Sequence, residues 1–180
     1  MPPYVAFLRA INVGGHTVKM SDLKRSFEAL GFDGVATFIA SGNVIFHTNE
    51  NDDAKLERTI ERALEADLGY PVETFVRSVA ELVHIAARDP FSSRPEAAGE
   101  KRSVYVAFLG RKPTAEAVDR LTALATDDDT FAVVVREVWW LRRGGIGTSR
   151  FSGGLLEKTL GMPATLRGLP TLEKIVAKYA

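Results

Sequence analysis

The chain contains no cysteine in its 180 residues, which excludes disulfides, thiolate metal sites and cysteine nucleophiles together and fits a reducing compartment. It has no apolar run near the ~18 residues of a membrane span, and Met1-Pro2-Pro3 leads into a strand-like stretch without a basic and then apolar leader. A soluble, cytoplasmic protein with no membrane association is therefore expected. His16, His47 and His84 show no metal-ligand spacing and no HExxH motif accompanies them, so neither a metal nor another cofactor is implied. No Gly-x-Ser-x-Gly elbow is present to support serine catalysis. Net charge is also lacking: 23 basic and 23 acidic residues leave no long-range field to draw the molecule onto nucleic acid or an anionic surface. That balance is not local. From Arg136 to Ala180, eight bases (Arg136, Arg142, Arg143, Arg150, Lys158, Arg167, Lys174, Lys178) face three acids (Glu137, Glu157, Glu173), a net of +5. An anion site belongs there first.

What is present is apolar material, 46% of the residues, enough for a sizeable core. Tyr4 to Ile11 reads as a strand entering a loop at Asn12 and Gly14-Gly15. A helix follows, with Ser21 as its expected cap, Leu23, Phe27 and Leu30 at helical spacing, and Gly31 as its stop. Val35–Ala40 and Val44–Thr48 read as strands about a Ser41-Gly42-Asn43 turn. A helix over Asp53–Leu68, a strand over Val72–Val76 and a helix over Ala80–Ala87 complete the first series. After the turn-forming stretch Ser92–Gly99 the series restarts. Tyr105-Val106-Ala107-Phe108-Leu109 repeats Tyr4-Val5-Ala6-Phe7-Leu8, and a helix (Ala115–Ala125) and strands (Phe131–Arg136, Val138–Leu141) follow in the same order. Leu64-Glu65-x-x-Leu68-Gly69-x-Pro71 recurs as Leu156-Glu157-x-x-Leu160-Gly161-x-Pro163, and a last helix over Thr171–Tyr179 answers the third helix of the first half.

This order predicts an α+β fold, an internal duplication of two ferredoxin-like β-α-β-β-α-β units, each with an extra helix and an antiparallel sheet. The expected division is 1–91 for the N-terminal half, 92–101 for a linker and 102–180 for the C-terminal half. The first strand of each half is apolar on both sides, so both faces of each sheet are expected to be covered, by the chain itself or by a second subunit.

The run Tyr4-Val5-Ala6-Phe7-Leu8-Arg9-Ala10-Ile11-Asn12-Val13-Gly14-Gly15, with Lys19-Met20 after it, resembles the opening of a bacterial family, domain of unknown function 1697. Ser41-Gly42-Asn43-Val44-Ile45-Phe46 resembles that family's hairpin, and Gly145-Ile146-Gly147-x-Ser149 with Leu155-Leu156-Glu157-Lys158-x-Leu160-Gly161 resembles its C-terminal loop and helix. The resemblance implies the paired ferredoxin-like fold and no particular activity. One departure stands out: Thr165-Leu166-Arg167-Gly168-Leu169-Pro170-Thr171 occupies the place where the resemblance leads one to expect Thr-Arg-Asn-Trp-Asn-Thr.

Two loops carry the candidate site. In Arg142-Arg143-Gly144-Gly145-Ile146-Gly147-Thr148-Ser149-Arg150, a strand gives way to a helix, and glycines, free N–H groups, a positive dipole end and guanidinia suit a phosphate or carboxylate. The ligand-binding residues expected here are Arg142, Arg143, Gly145, Gly147, Ser149 and Arg150. The alternative is a plain turn in which Ser149 or Ser152 caps the helix and the arginines are solvated or paired with acids. The second loop offers Arg9, Asn12, Gly14, Gly15 and Lys19; its alternative is a turn whose glycines supply positive φ beside an exposed His16. If the loops share one cleft, Gly15 and Gly147 should lie ~10–15 Å apart. Trp139-Trp140 on a strand puts one ring on each side of the sheet, and Asp127-Asp128-Asp129 reads as a solvated loop or a helix-end turn. The partners these features admit are an anionic small molecule, nucleic acid through stacking aromatics, or a second copy of the chain in a homodimer. Whether the protein is an enzyme is left open by the sequence.

Overall fold

The computed structural model describes residues 1–12, 14–39, 42–93, 101–144 and 149–180. The chain divides into two compact units, Met1–Ile85 with Ile175–Ala180, and Ala86–Lys174. Residues 94–100, within the expected linker, lie outside the described residues.

In the first unit, β1 (Pro3–Leu8), α1 (Met20–Ala29), β2 (Asp33–Thr37), β3 (Asn43–His47), α2 (Asp53–Leu68), β4 (Thr74–Ser78) and α3 (Val79–Ala87) follow one another. The sheet order is β2-β3-β1-β4 and all its pairings are antiparallel. The second unit repeats this with β5 (Arg102–Leu109), α4 (Ala115–Thr122), β6 (Asp129–Val134), β7 (Glu137–Arg143), α5 (Gly153–Leu160), β8 (Ala164–Gly168) and α6 (Leu169–Tyr179), in the order β6-β7-β5-β8. Each sheet has the split βαβ order, and the duplicated α+β fold stands. The last turn of α6 counts with the first unit, where the ring of Tyr179 meets Phe38 edge-on at 6.1 Å.

Alternation along each first strand divides its side chains between two faces. In the first unit Tyr4, Ala6 and Leu8 join Leu23, Phe27, Leu56, Ile60 and Leu64 in one core under α1 and α2. In the second, Ala107 and Leu109 meet Leu121, Leu156 and Leu160. Phe7 and Phe108, on the opposite faces, are fully buried in the single chain, so the chain itself supplies their cover. The repeated LExxLGxP sequences explain matching helix ends. Gly69 and Gly161 hold φ of 81° and 68° as C-caps of α2 and α5, a left-handed conformation that glycine enters without a Cβ penalty.

Several element bounds differ from expectation, β2 (Asp33–Thr37 against Val35–Ala40) and β4 (Thr74–Ser78 against Val72–Val76) among them, and two differences have a clear local cause. α1 starts at Met20 with Lys19 in the N-cap position, so Ser21 lies inside the first turn and caps nothing. The carboxamide oxygen of Asn12 accepts from the Val18 N–H at 2.6 Å and sets the chain's approach to that helix. The strand drawn over Phe131–Arg136 instead begins at Asp129 and ends at Val134, because Val135, at φ 53°, turns the chain into β7.

Candidate functional site

The β6–β7 hairpin sets the geometry at the entry to α5. Its two-residue turn, Val135-Arg136, pairs Val134 with Glu137, and from there the register runs without slip until Asp129 faces Arg142. Two residues along the same strand face from Arg142 stands Trp140. Asp129 thus accepts hydrogen bonds from Arg142 Nη1 at 3.1 Å, Trp140 Nε1 at 2.8 Å and Ser149 Oγ at 2.9 Å. Asp129 and Arg142 are 5% and 2% exposed, so this is a buried ion pair whose carboxylate is held by three donors.

The same cluster anchors the chain leading into α5. Ser149 Oγ also accepts from the Phe151 N–H at 3.0 Å, and Ser152, the N-cap, accepts from the Leu155 N–H at 3.2 Å. The ring of Phe151 packs 4.9 Å from Trp140 and 4.4 Å from Phe131. Beside these groups lies a cavity of about 450 Å³ whose lining includes Thr126, Asp128, Ser149, Arg150, Phe151 and Leu155. Thr126 Oγ1 accepts from the N–H groups of Asp128 and Asp129 and keeps its own proton to donate. Arg150 is exposed and has no acid partner among the described residues.

The expected site residues therefore divide. The charge of Arg142 is met inside the protein. The half-buried Arg143 donates its backbone N–H to Asp128 O and lines a second hollow with Thr122, Thr126 and Phe131. Ser149 serves Asp129 and the turn, and of the two arginines lining the cavity Arg150 is the one without an acid partner among the described residues. Gly145 and Gly147 lie outside the described residues, and with them the expected Gly15–Gly147 separation.

In the first unit, Arg9 is paired with Glu73 at 3.0 Å, and Asn12 is engaged with Val18. Gly14 and Gly15 hold positive φ in an exposed turn, Lys19 is exposed, and the His16 ring lies 4.1 Å from Tyr70.

Three residues escaped the sequence reading. Asp129 belongs to a triplet expected to be solvated; counting back from a two-residue turn at Val135-Arg136 would have set it opposite Arg142. Arg77 and Arg167, on β4 and β8, are buried at 0% and 8% exposure. They occupy equivalent places, since Arg77 pairs with Val5 on β1 and Arg167 with Val106 on β5. Each donates from Nη1 to the carbonyl of the residue before it, Val76 at 2.7 Å and Leu166 at 2.9 Å. Burial pulls the Arg167 guanidinium down to about 10. A charged residue inside an otherwise apolar strand, met once in each half, was the available signal.

The family model described as protein of unknown function (DUF1697) matches residues 1–139. The chain belongs to the DUF1697 family. The match ends at Trp139 within β7, so the Arg142–Arg150 loop follows it. A solved structure, that of the conserved bacterial protein SP0830 from Streptococcus pneumoniae, resembles this DUF1697 chain with a TM-score of 0.68. It is 22% identical, and the alignment covers 99% of each chain, which shows a common fold. Comparison with curated proteins finds no match. No helix among the described residues is long and apolar enough to cross a membrane.

Proposed function

We propose that this DUF1697 protein is a cytosolic binder of a small phosphate- or carboxylate-bearing ligand, held in the cavity at the entry to α5. The observation that carries this reading is Arg150, an exposed guanidinium without an acid partner among the described residues, on the wall of a cavity of about 450 Å³. That volume is within the range of small-molecule sites. A charged donor at the rim, the Thr126 hydroxyl and the apolar Phe151 and Leu155 together suit an anionic head with a short apolar or ring-bearing body. Arg142 plays the supporting part of holding Asp129, and through it Ser149, so that the wall is formed before a ligand arrives. A nucleic-acid surface is less well supported. Trp139 is 1% exposed, and Trp140 is stacked 4.9 Å from Tyr105 and packed on Phe151, which leaves neither indole open as a stacking platform.

A thermal-shift screen of the full chain with inorganic phosphate, nucleoside monophosphates and citrate tests the reading. At least one probe should raise the melting temperature in proportion to its concentration. Arg150→Ala should remove the shift, and Asp128→Asn, which deletes an acid from the same wall, should enlarge it. A shift that Arg150→Ala leaves intact, or no shift at millimolar ligand, overturns the proposal.

A further inference from the structure

The four edge strands of this protein are treated unequally. β4 presents its outward N–H groups to glutamates: Thr74 to Glu61 at 3.0 Å, Val76 to Glu57 at 2.9 Å and Ser78 to Glu81 at 2.8 Å. On β8 the Ala164 N–H is met by Glu157 at 2.8 Å. β2 is broken by a register shift between Asp33 and Ala36 at Gly34. Glutamate caps and bulges of this kind interrupt the row of backbone groups that another chain would join.

Among the described residues β6 has neither a glutamate cap nor a bulge. It ends its sheet; among the described residues β7 is the one strand beside it, and Thr126 takes the N–H and C=O of Asp129 at its start. From Thr130 to Val135 the sequence Thr-Phe-Ala-Val-Val-Val has no charge, glycine or proline; Thr130 to Val134 are half-buried and Val135 is 63% exposed. Arg143 N–H donates to Asp128 O, so Asp128 and each second residue after it turn their backbone groups toward β7. Phe131 and Val133 must then point theirs outward.

We propose that β6 is a homodimerisation edge at which a second copy of this chain pairs antiparallel, joining the two C-terminal sheets across a two-fold axis. The outward groups of Phe131 match those of Val133 in the other copy, which puts Ala132 on the axis. Charge follows the same register. β6 begins after the exposed acids Asp127 and Asp128, and its closing turn carries Arg136, so the antiparallel pairing sets Asp128 of one copy against Arg136 of the other, whereas a parallel pairing would set like against like. Shape agrees as well. A hollow of about 720 Å³ lies at the start of β6, lined by Thr126, Asp127, Thr130, Phe131 and Arg143. The register delivers the other copy's Val134–Arg136 turn, with its exposed Val135, to that end of the strand. A contact in which one patch meets its own copy closes after two subunits.

Sedimentation and light scattering of the full chain across concentration and salt test this. The wild type should have twice the 19.7 kDa chain mass and dissociate more readily as salt rises. Val133→Pro removes an outward N–H at a position where an edge strand tolerates proline, and should abolish the dimer. Asp128→Arg should weaken it at least ~tenfold by setting two cations together, and the swap Asp128→Arg with Arg136→Asp should restore it. If Val133→Pro disturbs folding by circular dichroism, the single and double charge variants decide. A monomeric wild type, or a dimer indifferent to the charge reversals, overturns the proposal.

Discussion

β2 and β6 are counterparts in the two repeats, and they have taken opposite courses. β2 is five residues long, opens on Asp33 and is bent at Gly34, which approaches His47 so closely that a Cβ there would stand 2.6 Å from the ring Nδ1. β6 is six residues long, runs in unbroken register, and is tied at its start by a buried carboxylate. The central strands and the α2 and α5 ends retain their shared sequence. A duplicated scaffold thus tolerates divergence at its edges, where a change alters only one ladder.

Three perturbations sharpen that contrast, taken from the largest expected effect. Asp129→Ala strips the carboxylate from a buried arginine and from the Trp140 and Ser149 donors, and should cost about 3–5 kcal/mol. Hydrogen exchange should locate the loss in the second unit, with the β1–β3 amides of the first still protected; equal loss in both would mean that the cluster supports the whole chain. Gly34→Ala should destabilise by about 1–3 kcal/mol in urea unfolding, because the new methyl meets His47 and the backbone holds φ +58°. A neutral result would show that the β2 bend relaxes at no cost.

The smallest effect is in the pH dependence of Arg167. Burial lowers its folded guanidinium to about 10, well below the ordinary arginine range, so above about pH 10 the unfolded chain binds more protons and this residue's contribution to stability rises with pH. The difference in urea midpoint between wild type and Arg167→Met should be flat below about pH 10 and shift in favour of the wild type above it. A flat difference throughout would mean that the guanidinium is better solvated than its burial implies.

Much of this architecture was legible in the chain. The YVAFL pair located β1 and β5, and the LExxLGxP pair located the ends of α2 and α5 with their left-handed glycine caps. These features are local: side-chain period and capping act within a few residues of each other. The candidate site was legible only in outline. Arg142 and Arg150 look alike as letters, yet one is neutralised by Asp129 and the other is open to a cavity. Nothing within a few residues of either distinguishes them; the distinction arises from hairpin register, thirteen residues away in sequence.

The sequence by itself determined the duplication, the order of elements, the two-sided apolar strands and the lack of thiol chemistry, since each follows from composition or short-range pattern. Tertiary structure alone decided which charges remain available. Burial makes an unpaired ion costly, so the fold commits Asp129 to Arg142 and glutamates to the edges of β4 and β8. Among the described residues it leaves Arg150 exposed on the wall of a cavity and β6 at the edge of its sheet.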